Sequence, residues 1–83
     1  MFEASEIKRL IEAALPGAVA NVVDDAGDKE HFTAEIISPT FDGQSRVRRQ
    51  QSVYAALGTR MGREIHALSM RTLTPAEADA NRS

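Results

Sequence analysis

Residues 31–58 read HFTAEIISPTFDGQSRVRRQQSVYAALG and contain, in succession, the signals of a strand, a turn and a helix. From Phe32 to Ile36 every second residue is apolar, which is typical of a strand with one buried face, so we predict a strand from His31 to Ser38. Pro39 ends this strand because its nitrogen has no proton to donate to a sheet. The stretch therefore indicates a domain that mixes strands and helices.

The second half of this stretch predicts a helix from about Arg46 to Leu57. Gly43 marks the turn before the helix, Ser45 is a suitable N-cap, and Gly58 is placed to end it. The apolar stripe of this helix is thin, and two glutamines occupy its middle. One face of the helix is therefore available for a partner.

The chain before residue 31 predicts a helix followed by a strand. Apolar residues recur at helical spacing from Ser5 to Leu15, and Pro16 ends the helix because proline disfavours helical backbone in the residue before it. The segment from Ala18 to Val23 is short and partly β-branched, and a polar turn follows it. We expect this strand to form a hairpin with the strand that begins at His31.

The chain after residue 58 predicts a short helical turn from Thr59 to Glu64 and a third strand from Ile65 to Leu73. Thr74-Pro75 is expected to end the ordered structure. We therefore predict a single α+β domain over residues 1–76, in the order α-β-β-α-(short turn)-β, and a disordered tail over residues 77–83. The sheet should have three strands, with the helices on one face.

Length and composition also limit the classes of function that are open to the chain. The 83 residues are 42% hydrophobic and 27% charged, as in one ordinary folded domain. No apolar run approaches the ~18 residues that cross a bilayer, and no targeting pattern is visible at the N-terminus, so we expect a cytoplasmic protein without membrane contact. The sequence has no cysteine, no phosphate-binding glycine loop and no Gly-x-Ser-x-Gly motif. We therefore do not expect an enzyme.

The charges divide unevenly along the chain. Residues 1–42 contain three basic and nine acidic side chains, whereas residues 43–83 contain seven arginines and three acidic residues. This division is consistent with a basic binding surface, and it is equally consistent with opposite charges that interleave once the chain folds. Arg46, Arg48 and Arg49 lie in the first turn of the predicted second helix, where the helix dipole disfavours cations, so helix stability does not explain them.

The two histidines, His31 and His66, are the only soft nitrogen donors in the chain. Each lies near the start of a predicted strand. A lone histidine in such a place is usually a surface or core-edge residue, and spacing leaves that interpretation open beside a metal-binding role.

Taken in order, the segments HF, SPTFDG, SRVRRQQSVYAAL and REIHALSMRTLTP, which lie within residues 31–75, resemble the pattern of the BolA family. The paired glutamines make the second helix most similar to one subgroup of that family. Many other members have a histidine where this chain has Gln50, and no role of that histidine transfers to it. The resemblance implies a KH-like αββαβ fold, which agrees with the order predicted from periodicity.

The resemblance implies a non-catalytic adaptor that forms a heterodimer with a monothiol glutaredoxin and helps to hold a bridging 2Fe-2S cluster. The glutaredoxin supplies a cysteine and a bound glutathione thiol. The family's C-terminal histidine maps onto His66, and His31 is the nearest candidate for a second ligand from the loop after the first strand. The isolated chain should hold no cluster. Four arginines are candidates for contacts with acidic groups of the partner or of glutathione: Arg46, Arg48, Arg49 and Arg63.

The alternative is a KH-like nucleic-acid-binding regulator of transcription. The basic second half favours this alternative. The sequence pI of about 5.6, the lack of a GXXG clamp and the small number of aromatic residues oppose it. A homodimer of the chain without a cluster is a further open alternative.

Overall fold

The computed structural model describes residues 3–25, 27–28, 31–61, 65 and 67–82. The predicted αββαβ order is confirmed, and one helix follows it. In chain order the elements are α1 (Ala4–Ala14), β1 (Val19–Asp24), β2 (His31–Ile37), a 3₁₀ turn (Pro39–Phe41), α2 (Arg46–Leu57), a second 3₁₀ turn (Gly58–Arg60), β3 (Ala67–Leu73) and α3 (Pro75–Arg82).

The three strands form one mixed sheet in the order β1-β2-β3. β1 and β2 pair antiparallel, as the predicted hairpin requires, and β2 and β3 pair parallel because α2 carries the chain back to the same end of the sheet. The inward side chains of β1 and β2 pack with α1 and α2, so both helices cover one face. The buried core consists of Ile7, Ile11, Leu15, Ala20, Phe32, Ala34, Ile36, Phe41, Val53, Leu57 and Ile65.

The second helix begins and ends at the predicted residues. The Ser45 hydroxyl accepts a hydrogen bond from the Arg48 backbone N–H at 3.2 Å, and Gly58 adopts a φ of 60° after the last turn. Its apolar residues divide between two faces. Val53 and Leu57 are buried, while Val47 and Tyr54 are 62% and 41% exposed. The thin apolar stripe therefore serves the core on one side and leaves apolar surface on the other.

The third strand is shorter than predicted. It begins at Ala67 and not at Ile65. Ile65 is fully buried and forms an isolated bridge with Met61. The Ile65 side chain packs in the core although its backbone precedes the regular pairing with β2. Because a buried residue outside a strand follows the same apolar pattern as one inside it, the pattern predicted a strand that begins too early. The 3₁₀ turn ends at Arg60, and the rest of the predicted turn, residues 62–64, lies outside the described residues.

The prediction of a disordered tail from residue 77 is wrong. The Glu77 carboxylate accepts a hydrogen bond from the Thr74 backbone N–H at 2.8 Å, and the Thr74 hydroxyl accepts one from the Glu77 backbone N–H at 3.1 Å. This reciprocal pair is a capping box, and Pro75 occupies the first helical position, where its fixed φ suits a helix. Ala78 is buried against the domain. Thr74-Pro75 thus starts α3.

Among the helices that the structure describes, none has the length and apolar character that a membrane span requires.

Candidate functional site

His31 is the first residue of β2, and a carboxylate orients its ring. The distance between His31 Nδ1 and Asp28 Oδ2 is 2.9 Å, and the His31 backbone N–H donates to Asp28 Oδ1 at 3.2 Å. Because an ionised carboxylate only accepts hydrogen bonds, Nδ1 carries the proton in the neutral ring that makes this contact. A metal bound to the neutral ring would therefore be bound through Nε2.

The loop between β1 and β2 is fixed at its base. The Asp25 backbone N–H donates to the His31 carbonyl at 3.0 Å, and the Thr33 hydroxyl donates to the Asp25 carboxylate at 2.6 Å. The His31 side chain is nonetheless 55% exposed. The backbone of His31 is thus held by the sheet while its imidazole remains accessible, which is an arrangement suited to a ligand. Asp28 is absent from the predicted site residues, although it lies three residues before His31, a spacing at which a carboxylate can reach the ring.

The sheet register brings His31 beside the start of β3. His31 pairs with Ala67 across the parallel strands, and Ala67 directly follows His66 in the chain. His66 itself lies outside the described residues, as does Arg63. Their assignments as ligand and as partner contact therefore stay predictions. Within the part of the chain that the structure describes, no group of three or more His, Cys, Asp or Glu side chains is placed to hold a metal ion.

Two of the predicted partner-binding arginines lie on the surface of α2. Arg46 and Arg48 are exposed, and neither forms an ion pair with another of the described residues. No acidic residue occurs anywhere in α2, whose sequence is RVRRQQSVYAAL. The helix therefore presents uncompensated positive charge beside the exposed apolar side chains of Val47 and Tyr54.

Arg49, the third α2 arginine predicted to contact the partner, is bound by several groups of the domain itself. Its side chain is only 12% exposed. The guanidinium donates to the Gln44 carbonyl at 2.9 Å, to the Thr72 carbonyl at 3.2 Å and to the Glu77 carboxylate at 2.7 Å. It also lies 5.8 Å from the centre of the Phe41 ring. Arg49 therefore joins α2, β3 and α3, and it does not belong to the exposed basic surface.

The electrostatics of Glu77 reflect this contact. The hydrogen bond from Arg49, with help from the Thr74 backbone N–H, lowers the pKa of the Glu77 carboxyl from its ordinary value of 4.5 to about 2. Glu77 therefore stays ionised at any pH at which the domain is expected to work. The link between Arg49 and Glu77 holds α3 against the rest of the domain.

The aromatic side chains offer little for stacking on bases. Phe32 and Phe41 are buried in the core, and Tyr54 is 41% exposed. Single-stranded nucleic acids are usually bound by exposed aromatic platforms beside a basic groove. Among the described phenylalanine and tyrosine side chains only Tyr54 is exposed enough to act in this way, which reduces the support for the nucleic-acid alternative.

The fold and this site define a small α+β domain that has an exposed histidine at the start of the second hairpin strand and a basic second helix. The chain belongs to the BolA-like protein family, whose model matches residues 11–77.

Relatives agree in sequence and in structure. The acid stress protein IbaG of Escherichia coli is 38% identical over 76 residues, which cover 90% of this chain and 87% of IbaG. Human BolA-like protein 1 is 31% identical over 78 residues, which cover 86% of this chain and 57% of the human protein. The structure of a bolA protein homologue from Coxiella burnetii superposes with a TM-score of 0.82 at 40% identity, with 95% of this chain and 99% of that chain covered.

Proposed function

We propose that this protein is a non-catalytic adaptor that binds a monothiol glutaredoxin and, together with it, ligates a bridging 2Fe-2S cluster through His66 and His31. The observation that carries the proposal is the placement of His31, whose ring is oriented by Asp28 at 2.9 Å while over half of the side chain is exposed. Membership in the BolA-like family supports it further.

The donor set of the chain fits a shared cluster. Iron-sulfur clusters are usually held by about four protein ligands, and this sequence offers two histidines and no cysteine. The remaining ligands would come from the partner, as the thiols of its cysteine and of its bound glutathione. A carboxylate behind a ligating imidazole fixes the tautomer and raises the basicity of the ring, which is the role that Asp28 would have toward His31.

The register supports His66 as the second ligand. His31 pairs with Ala67, the residue that follows His66 in the chain, so the sequence neighbour of His66 lies beside His31 in the sheet. A cluster that is bound partly by neutral imidazole carries less negative charge than a cluster bound by thiolates alone. Its reduction potential is therefore higher. Such a cluster is suited to transfer or to sensing of iron.

Arg46 and Arg48 would supply the recognition surface for the partner. Both are exposed on α2 and lack ion pairs with other described residues, so their guanidinium groups can meet carboxylates of the glutaredoxin or of glutathione. The exposed apolar groups of Val47 and Tyr54 on the same helix could contribute buried area to that interface.

The test is a titration of the colourless purified chain into cluster-loaded monothiol glutaredoxin, followed by visible circular dichroism and by native mass spectrometry. We expect a new visible spectrum and a 1:1 heterodimer that carries one cluster and one glutathione. The spectrum should weaken on acidification because imidazole binds metal only when it is neutral. A tightly bound cluster on the chain purified without glutaredoxin, or an unchanged glutaredoxin spectrum after mixing, would refute the proposal.

A further inference from the structure

The two edges of the sheet are treated differently. On β1, the free edge at Ala20 is covered by two side chains of α1: the Ala20 N–H donates to the Glu12 carboxylate at 2.9 Å, and the Ala20 carbonyl accepts from the Lys8 ammonium at 2.8 Å. Lys8 and Glu12 also form an ion pair at 2.6 Å. Charged side chains on an edge strand block the addition of another strand. The β1 edge is therefore protected at Ala20 by charged side chains of α1.

The edge of β3 lacks such cover over much of its length. The Leu73 carbonyl accepts from Ser38 N–H on the β2 side, and the Thr72 carbonyl accepts from Arg49 on the opposite side. Because backbone groups alternate in direction along a strand, those of Leu68 and Met70 point the same way as those of Thr72, away from β2. Within the part of the chain that the structure describes, no residue bonds to the outward groups of Leu68 and Met70.

A groove of about 350 Å³ runs along this edge, between α2 and β3. Met70 contributes a flexible apolar surface to it, and Arg46 and Arg71 contribute positive charge. Arg71 is 59% exposed, and its nearest carboxylate is that of Glu35 at 4.0 Å. The described residues that form the groove are Arg46, Gln50, Met70, Arg71, Thr72 and Leu73, and none of these is acidic.

We propose that this groove and the β3 edge bind an extended, acidic segment of a partner protein, which adds to the sheet as a fourth strand beside β3. The backbone of the segment would pair with the outward groups of Leu68 and Met70. Side chains alternate along a strand, so one parity would face Met70 and Arg46 in the groove and the other would face Arg71 on the outer face of the sheet. Acidic residues are favoured at the positions that face Arg46 in the groove, and β-branched apolar residues, which suit a strand, are accepted at the positions that pack on the aliphatic stem of Arg71.

The chemistry of the groove favours a peptide over the other occupants. A nucleic acid has no backbone N–H and C=O ladder to pair with a strand edge, and none of the described residues that line the groove is aromatic and able to stack on a base. A second copy joined edge to edge through β3 would place two arginine-bearing edges against each other, and it would not offer the charge complementarity that an acidic segment offers. The inference does not rest on cluster binding, since none of these residues is a proposed ligand.

The test uses a fluorescein-labelled hexapeptide of alternating glutamate and valine, measured by fluorescence polarisation and by proton–nitrogen NMR at physiological salt. We expect saturable binding, with shifted resonances and slowed amide exchange at Leu68 and Met70. Arg46→Glu should weaken binding by about five- to tenfold. Arg48→Glu is the matched control, because it makes the same charge change on the same helix without lining this groove, and it should stay within about twofold of wild type.

Two further probes separate strand pairing from simple charge attraction. The same peptide with alternate N-methyl groups keeps its charges but loses donors for the sheet, and it should not bind. A lysine–valine peptide should also fail to bind. The proposal is overturned if the N-methylated peptide binds as well as its parent, if the shifts lie outside β3 and α2, or if an oligouridine protects the Leu68 and Met70 amides in place of the peptide. Protection of these amides by a dimer of the chain itself would overturn it equally.

Discussion

Replacing Arg49 with alanine should remove the contact that joins three elements. The guanidinium donates to the backbone carbonyls of Gln44 and Thr72, and each such bond from a charged donor contributes about 1.5 to 3 kcal/mol when its acceptor is otherwise left unsatisfied. The contact with the Phe41 ring adds about 0.5 to 1 kcal/mol. These contributions amount to about 3.5 to 7 kcal/mol, with the exposed carboxylate of Glu77 left out. Because the cavity beside Gln44, Arg49 and Thr72 is open to water, which can hydrate the vacated carbonyls, we expect the free energy of unfolding to fall by about 3.5 to 5 kcal/mol.

This loss is large for a chain of this size. Domains have about 0.05 to 0.15 kcal/mol of stability per residue, which amounts to about 4 to 12 kcal/mol here. Urea unfolding followed by far-ultraviolet circular dichroism measures the change, and Tm should fall by about 12 °C or more. Arg48→Ala is the control, because this neighbouring arginine is exposed and its replacement should change the free energy of unfolding by about 0.5 kcal/mol at most.

Arg49→Lys gives an internal check. Lysine retains the charge but not the fork that reaches two carbonyls and a carboxylate at once, so its stability should lie between those of wild type and Arg49→Ala. The structural role of Arg49 is refuted if Arg49→Ala is as stable as Arg48→Ala, or if Arg49→Ala unfolds at the wild-type urea concentration but no longer binds glutaredoxin.

Because the pKa of Glu77 is lowered to about 2, its contribution to stability is complete above pH 4.5 and is lost as the pH falls toward 2. The free energy of unfolding of Glu77→Gln should therefore fall less than that of wild type between pH 4.5 and pH 2, as measured by acid-unfolding curves. Asp28→Ala should shorten the lifetime of the mixed cluster by about 10- to 100-fold, measured as decay of its visible spectrum, while Asp42→Ala, which removes an exposed carboxylate elsewhere, should leave it unchanged. Binding to single-stranded DNA or RNA should be weak and should collapse between low and physiological salt, and sequence-specific binding that survives physiological salt would favour the nucleic-acid alternative.

The sequence contained enough local information for most of the fold. The hairpin and α2 were predicted because alternation, a proline stop and a serine cap are signals carried by adjacent residues. The α3 helix was missed although Thr74, Pro75 and Glu77 contain its capping box, because proline was interpreted as an end of structure and not as a first helical residue.

The candidate site was only partly predictable. Asp28 lies three residues from His31, so their contact was within reach of local reasoning. The role of Arg49 could not be predicted locally. It depends on contacts of Arg49 with Thr72 and Glu77, which form only when α2, β3 and α3 pack together. The differing cover of the two sheet edges likewise depends on strand order, which no local pattern reveals.

In the proposed heterodimer, histidine nitrogen of this chain is bound to the shared cluster. The most direct measurement is pulsed electron paramagnetic resonance of the reduced heterodimer, prepared with nitrogen-15 histidine in this chain only and with unlabelled glutaredoxin. We expect strong hyperfine coupling to nitrogen-15, from which His66→Ala removes one component entirely and His31→Ala removes or alters another, while far-ultraviolet spectra show both variants folded. A heterodimer cluster without strong nitrogen-15 coupling in the wild-type protein would contradict the assignment of both histidines.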